Sequence, residues 1–170
     1  MEVLKTNLPD VWLIKPDIFE DFRGDYVMTF NKRLYQAVVP VEFVEEDIST
    51  SARGVLRGIH YSPHCWKLNQ CLYGAIYYVV VNCDESDPDF GQWQSFILSD
   101  RNRHQLLKHP RYGSGLLALT DFVIFHYMQS QYYNPANPDQ QTFRFDDERF
   151  HIWWPKLTPI VSQRDEVGHY

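Results

Sequence analysis

The chain is punctuated at short, regular intervals. Runs rich in Val, Ile, Tyr, Phe and Trp ("DVWLIKPDIF", "GDYVMTFN", "VEFVEEDIS", "GVLRGIHY", "LNQCLYGAIYYVVVN", "GQWQSFILS", "HQLLKHP", "SGLLALTDFVIFHYMQSQYY", "FHIWWP") alternate with breakers such as "DESDPDFG", "DRNR", "HPRYGSG", "YYNPANPDQQ" and "DDERF". Branched and aromatic side chains suit a pleated surface, whereas Gly, Pro, Asp and Asn favour turns and end strands. Only "KRLYQAVVP" offers a helical period, with Leu34, Val38 and Tyr35 on one face until Pro40 stops it, and "SDRNRHQLL" adds a turn. The pattern predicts an all-β chain with few short helices, a jelly-roll sandwich or barrel holding a ligand between its sheets.

At 170 residues the chain fits one domain, residues 1–170, with no repeat or linker. The net charge of −6 argues against nucleic acid as a partner, so an anionic ligand must be met by local cations. No run approaches the roughly 20 apolar residues of a membrane span, and Met1 to Pro9 lacks the basic start and apolar stretch of a signal peptide. Three cysteines, Cys65, Cys71 and Cys83, make an odd count, and C-x5-C is a poor zinc spacing. The expectation is a cytoplasmic protein with no disulfide framework and no membrane association.

The densest chemistry lies in "GVLRGIHYSPHCWK", residues 54–67. Period-2 alternation puts Leu56, Gly58 and His60 on one face and Arg57, Ile59 and Tyr61 on the other, which turns His60 inward. Three readings of His60 follow. It is a core histidine satisfied by a hydrogen bond; it is a metal ligand with His64, across the break at Pro63; or it is a base in a pocket that also needs an acid and an oxyanion stabiliser. Lys67, ahead of an apolar strand expected from Leu68 to Asn82, and Tyr127, within "FVIFHYMQSQYY", supply the cation and the acid for the third reading.

The order of "DFRGDYVMTFN", "GVLRGIHY", a Lys opening the next strand, "DPDFGQW" to "LSDRNRHQL", "HPRYGSGLLAL", "FHYMQSQYYNP", "FDDERFHIWWP" and "SQRD" resembles the dTDP-4-dehydrorhamnose 3,5-epimerase family along nearly the whole chain. The resemblance implies a cupin-type jelly roll, usually a homodimer, that works without metal or cofactor on a nucleotide-linked 4-keto-6-deoxy sugar. It implies His60 as the base, Asp165 of "SQRD" as its carboxylate partner, Lys67 beside the enolate oxygen and Tyr127 as the acid on the opposite face. Arg23 and Arg57 match arginines on the nucleotide diphosphate, Tyr133 a further site tyrosine and Phe19 an aromatic near the base. In that family N-terminal strands are exchanged between subunits, which carries Arg23-type residues to the neighbouring site.

The departures from the family pattern are specific. Ser114 stands where the family has a histidine close to the site, which leaves open whether C3, C5 or both are inverted. Met28 replaces a glutamate, Gln70, Tyr78 and Asn82 stand where Arg and Asp are common, and Glu45, Glu46 and Asp47 replace a Gln-Asp-Asn-like segment. Carboxylates at Glu45 and Asp47 suit a guanine or cytosine edge, or a solvated acidic surface, while the family itself implies dTDP. A metal-dependent cupin using His60 and His64, and a catalytically reduced sugar-nucleotide binding protein, are the other functions the sequence allows.

Overall fold

A computed structural model describes residues 1–134, 136 and 139–168. The chain begins with strands β1 (Glu2–Lys5), β2 (Val11–Lys15), β3 (Ile18–Asp21) and β4 (Gly24–Val27), followed by helix α1 (Lys32–Gln36). Next come β5 (Glu45–Ala52), β6 (Leu56–Tyr61), β7 (Lys67–Tyr73), β8 (Ala75–Asn82) and β9 (Trp93–Ser99). The series closes with β10 (Gln105–Lys108), β11 (Tyr112–Ala118), β12 (Phe122–Gln129), β13 (Gln141–Thr142) and helix α2 (Gln163–Val167). One sheet has the order β1-β2-β10-β7-β12-β5 and the other β13-β6-β11-β8-β9, while β3 and β4 form a separate hairpin. This is the all-β, cupin-like class expected from the punctuation. Among the described residues no helix is long and apolar enough to cross a membrane.

The run expected as a single strand from Leu68 to Asn82 is two strands, β7 and β8, and they lie in different sheets. Gly74 makes the break. Its φ is +77°, and a Cβ there would meet the Phe122 carbonyl oxygen at 2.3 Å and Thr120 Oγ1 at 2.4 Å. Its N–H is held by Asp100 Oδ2 at 2.9 Å. Only glycine adopts that backbone without strain in so narrow a space.

Three apolar layers result. Between the sheets lie Val11, Cys71, Ile76, Val80, Leu98, Leu106 and Val123. The outer face of the five-stranded sheet, with Leu56, Ile59, Tyr77, Val79 and Val81, is covered by Phe143, Phe150 and Trp154 from the C-terminal segment. Strand β8 is therefore buried on both faces, which is why "AIYYVVV" shows no alternation. "FHIWWP", expected as a strand, is instead irregular chain laid over that face, fixed by Trp154 Nε1 donating to the Phe145 carbonyl at 2.8 Å. In the third layer Tyr35, expected on the helix face, and Val39 cover Ile14, Leu68 and Leu107, with Val38 partly buried against them. Leu34, also expected on that face, is instead exposed within the five-residue helix.

Gly74→Ala is expected to cost at least about 2 kcal/mol of stability, read as a lower midpoint in urea unfolding at unchanged slope.

Candidate active site

The site begins with an irregularity in β6. Simple alternation predicts opposite faces for Arg57 and His60, and the structure corrects this: both border one cavity between the sheets. Strand β11 pairs Ser114 with His60 and Leu116 with Arg57, so two steps along β11 match three along β6. The extra residue is taken up at Gly58, whose φ is +99° and whose absent Cβ would lie 2.5 Å from the Ser114 carbonyl oxygen. A bulge of this kind reverses the phase of the strand, bringing Arg57 round to the face of His60.

His60 is gripped from behind by Asp165, with Nε2 2.7 Å from Oδ1; the imidazole is 41% exposed and the carboxylate 4%. The carboxylate sits on α2, where the Ser162 side chain caps the helix by accepting the Asp165 N–H at 3.2 Å. Burial pushes the Asp165 carboxyl up, but hydrogen bonds from His60, the Gly58 N–H and Ser162 outweigh it and hold the group below the usual 3.8. With Nε2 donating to this carboxylate, Nδ1 of His60 carries the free lone pair.

The opposite wall is the six-stranded sheet, which contributes Ser49, Lys67, Asn69, Phe125 and Tyr127 to the cavity. Lys67 Nζ lies 5.1 Å from the centroid of the Tyr127 ring. Burial lowers the Lys67 ammonium, with Cys65, Asp47 and Glu45 opposing that shift. Burial, then the Asp47 carboxylate, pushes the Tyr127 phenol up to about 12, so it is a proton donor at neutral pH. The cavity between the walls has a volume of about 180 Å³. A nitrogen base on one sheet thus faces a phenol and an ammonium on the other.

Comparison with known proteins matches residues 5–169 to the dTDP-4-dehydrorhamnose 3,5-epimerase family. The chain belongs to this family. It is an isomerase by that membership. It is 34% identical over 173 residues to the dTDP-4-dehydrorhamnose 3,5-epimerase of Shigella flexneri, covering 99% of this chain and 94% of that one. The enzyme of the same name from Bacillus anthracis, solved with TDP and pyrophosphate bound, superposes with a TM-score of 0.90 at 33% identity over 98% of this chain and 97% of that one. ChmJ, a 3'-monoepimerase from Streptomyces bikiniensis solved with dTDP-quinovose, gives 0.87 at 28% identity over 94% and 83% of the two chains.

The other residues suggested by the epimerase-family motifs are distributed unevenly around the cavity. Arg57 and Ser114 line it. Arg57 is braced by Ser51 Oγ at 3.1 Å and the Thr50 carbonyl at 3.0 Å, with no other hydrogen bond from its guanidinium among the described residues. Asp47 is paired across the sheet with Tyr127, and Glu45 accepts from Gln129 Nε2 and the Tyr133 N–H, so Glu45 fixes the rim on which Tyr133 sits. Arg23 and Phe19 lie on the β3–β4 hairpin, exposed, with Arg23 paired to Asp21 and lying over the Phe22 ring. Neither borders the cavity of its own chain. His64 lies in the loop after β6, with Nε2 3.8 Å from Asp139 Oδ2. Among the described residues no three His, Cys, Asp or Glu side chains are grouped to hold a metal ion.

Ser49, Asn69 and Phe125 escaped the motif reading, yet each stands two residues from a recognised one (Asp47, Lys67 and Tyr127), and strand periodicity alone would have found them. Lys108 was also missed. It pairs across the sheet with Lys67 and is fully buried, which lowers its ammonium to about 7, its Nζ donating to the Tyr112 carbonyl.

Because the Asp165 carboxyl is depressed in the folded chain, its stabilising effect is present above the unfolded value of 3.8 and is lost as pH falls through the lower folded value. Asp165→Asn should therefore lower stability at neutral pH by about 1.5–3 kcal/mol and flatten the acid limb of the wild-type stability profile, measured by urea unfolding at successive pH values.

Proposed function

We propose that the protein epimerises a nucleoside-diphosphate-linked 4-keto-6-deoxy sugar in deoxysugar biosynthesis. The observation that carries this reading is the placement of His60 and Tyr127 on facing sheets across one cavity. The C4 ketone acidifies the hydrogens on C3 and C5. His60 Nδ1 takes one of them, the C–H electron pair moves to the C4 oxygen as an enolate, and Asp165 balances the imidazolium. The Lys67 ammonium meets the enolate oxygen. Tyr127 then gives its phenolic proton to the same carbon from the other side, the carbonyl re-forms, and Lys67 beside the ring eases the resulting phenolate. His60 and Tyr127 return to their starting states by proton exchange with solvent. The ketone is its own electron sink, so the scheme uses no metal or cofactor.

Arg57 serves the diphosphate, for which a guanidinium fork is well suited. Arg23 and Phe19 serve the site of a second subunit, in a homodimer joined through the β3–β4 hairpin. The hairpin's Phe19, Phe22 and Tyr26 are 63%, 99% and 68% exposed, an apolar surface of the kind that marks an interface. The relatives' names favour dTDP as the nucleotide, and the engagement of Glu45 with its own rim removes one reason to prefer GDP or CDP. Nucleotide sugars place the enzyme in the cytoplasm, in keeping with three free, buried cysteines. Ser114 beside His60 cannot titrate, which favours inversion at a single carbon; the Streptomyces bikiniensis relative ChmJ is a monoepimerase of this kind.

In D2O, with dTDP-, GDP- and CDP-linked 4-keto-6-deoxyhexoses, the protein should wash deuterium into C3 or C5 of one of them. His60→Asn should slow that exchange by about 10²- to 10⁴-fold. No deuterium in any substrate would sink the proposal. Arg23→Ala and His60→Asn chains, each impaired alone, should regain about a quarter of wild-type activity when mixed, because half the dimers are mixed and hold one intact site of two.

A further inference from the structure

Tyr78 stands in the middle of β8, 1% exposed, on the wall of the cavity that also carries His60. Its ring packs at a tilt on Phe125, centroids 5.7 Å apart. Its hydroxyl is the only buried side-chain nitrogen or oxygen among the described residues with no hydrogen-bond partner. The Ser114 hydroxyl is the nearest polar group and slightly eases the phenol's environment, but the two do not form a well-aligned hydrogen bond.

A buried hydroxyl without a partner is unfavourable, and native chains keep few of them. Phenylalanine would fill the same space without that cost, and the residues sharing this face of β8, Ile76 and Val80, are apolar. The fold itself therefore gives the hydroxyl no well-formed hydrogen bond. Because it borders the cavity, its partner is whatever enters there. Burial pushes the phenol above its usual range, so it remains protonated and acts as a donor. Asn69 on the facing wall is likewise buried, with Nδ2 committed to the Lys67 and Leu106 carbonyls. Tyr78, Phe125 and Asn69 are thus the inner end of the cavity, and Arg57 and the half-exposed His60 its outer part.

We infer that Tyr78 is a specificity-determining residue that donates its phenolic hydrogen to a neutral oxygen, a hydroxyl or carbonyl, of the sugar at the inner end of the cavity. This rests on the epimerase reading for the sugar nucleotide as ligand, but concerns binding rather than the proton transfers. Tyr78 distinguishes a sugar that presents an acceptor oxygen there from one that lacks it, because the deoxy analogue leaves the buried donor unpaired. The nucleotide end, held farther out by arginine, does not sense it.

The test is Tyr78→Phe, with wild type alongside, measured for binding of dTDP and of dTDP-quinovose, which has no ketone and so cannot be turned over. The expected result is about 10-fold weaker binding of dTDP-quinovose, unchanged binding of dTDP, and an apo-protein melting temperature equal to or above that of wild type. A wild-type ratio of the two affinities would overturn the inference. So would a lower melting temperature, since it would mean that the hydroxyl is satisfied within the fold. If wild type washes in no deuterium but Tyr78→Phe still weakens only the sugar-bearing ligand, the catalytic reading fails and the role of Tyr78 stands.

Discussion

The approach of Gly58 to the carbonyl of Ser114 governs the rest of the site. The two backbones come so close that a single methyl group would lie 2.5 Å from that oxygen, and the strand responds with a one-residue bulge. This packing decision has chemical consequences. It moves Arg57 to the face of His60, and the Gly58 N–H is among the groups that lower the carboxyl of Asp165, which holds the imidazole. One irregular glycine thus sets the cation, the base and the partner of the base at once. A regular strand would have kept the base and sent the arginine to the other side of the sheet.

The two-sheet design also explains why base and acid oppose each other. His60, Ser114 and Tyr78 come from β6, β11 and β8 of one sheet, while Lys67, Asn69, Phe125 and Tyr127 come from β7 and β12 of the other. Gly74, by sending β7 and β8 to different sheets, divides a continuous apolar run between the two walls. An enolate is planar at the reacting carbon, so inversion needs access from both sides. A cavity lined by separate sheets supplies two sides without bending either strand.

Much of this was legible in the chain. The breakers fixed the strand-rich class, and the motif order singled out His60, Lys67, Tyr127 and Asp165, three of which border the cavity while the fourth grips His60. What remained hidden was context that a period cannot carry. Alternation assigned Arg57 the wrong face because it assumes one residue per step, and a bulge is a tertiary choice made by Ser114. "FHIWWP" has strand composition but lies over a sheet whose hydrogen bonds are already made, so it packs without pairing along its length. The short helix α2 went unrecognised even though Ser162 and Asp165 have capping-box spacing, with Asp at the third position where Glu is usual. Residues two steps from a motif, such as Asn69 and Phe125, needed only the period that was already in hand.

The partner of His60 lies 105 residues farther along the chain. Between them the C-terminal segment crosses the outside of the five-stranded sheet, exchanging hydrogen bonds with β6 at Ile59 and pairing beside Val55 through Ile160 before α2 presents its carboxylate. During synthesis the barrel strands therefore emerge first, with an imidazole that has nothing behind it. Only when the strap has closed over the sheet is the ring fixed in one tautomer, so the same event that seals the outer apolar layer also arms the base. Fraying of that strap in the mature protein would disarm the site while leaving most of both sheets standing, which makes loss of activity an earlier signal of thermal damage than loss of secondary structure.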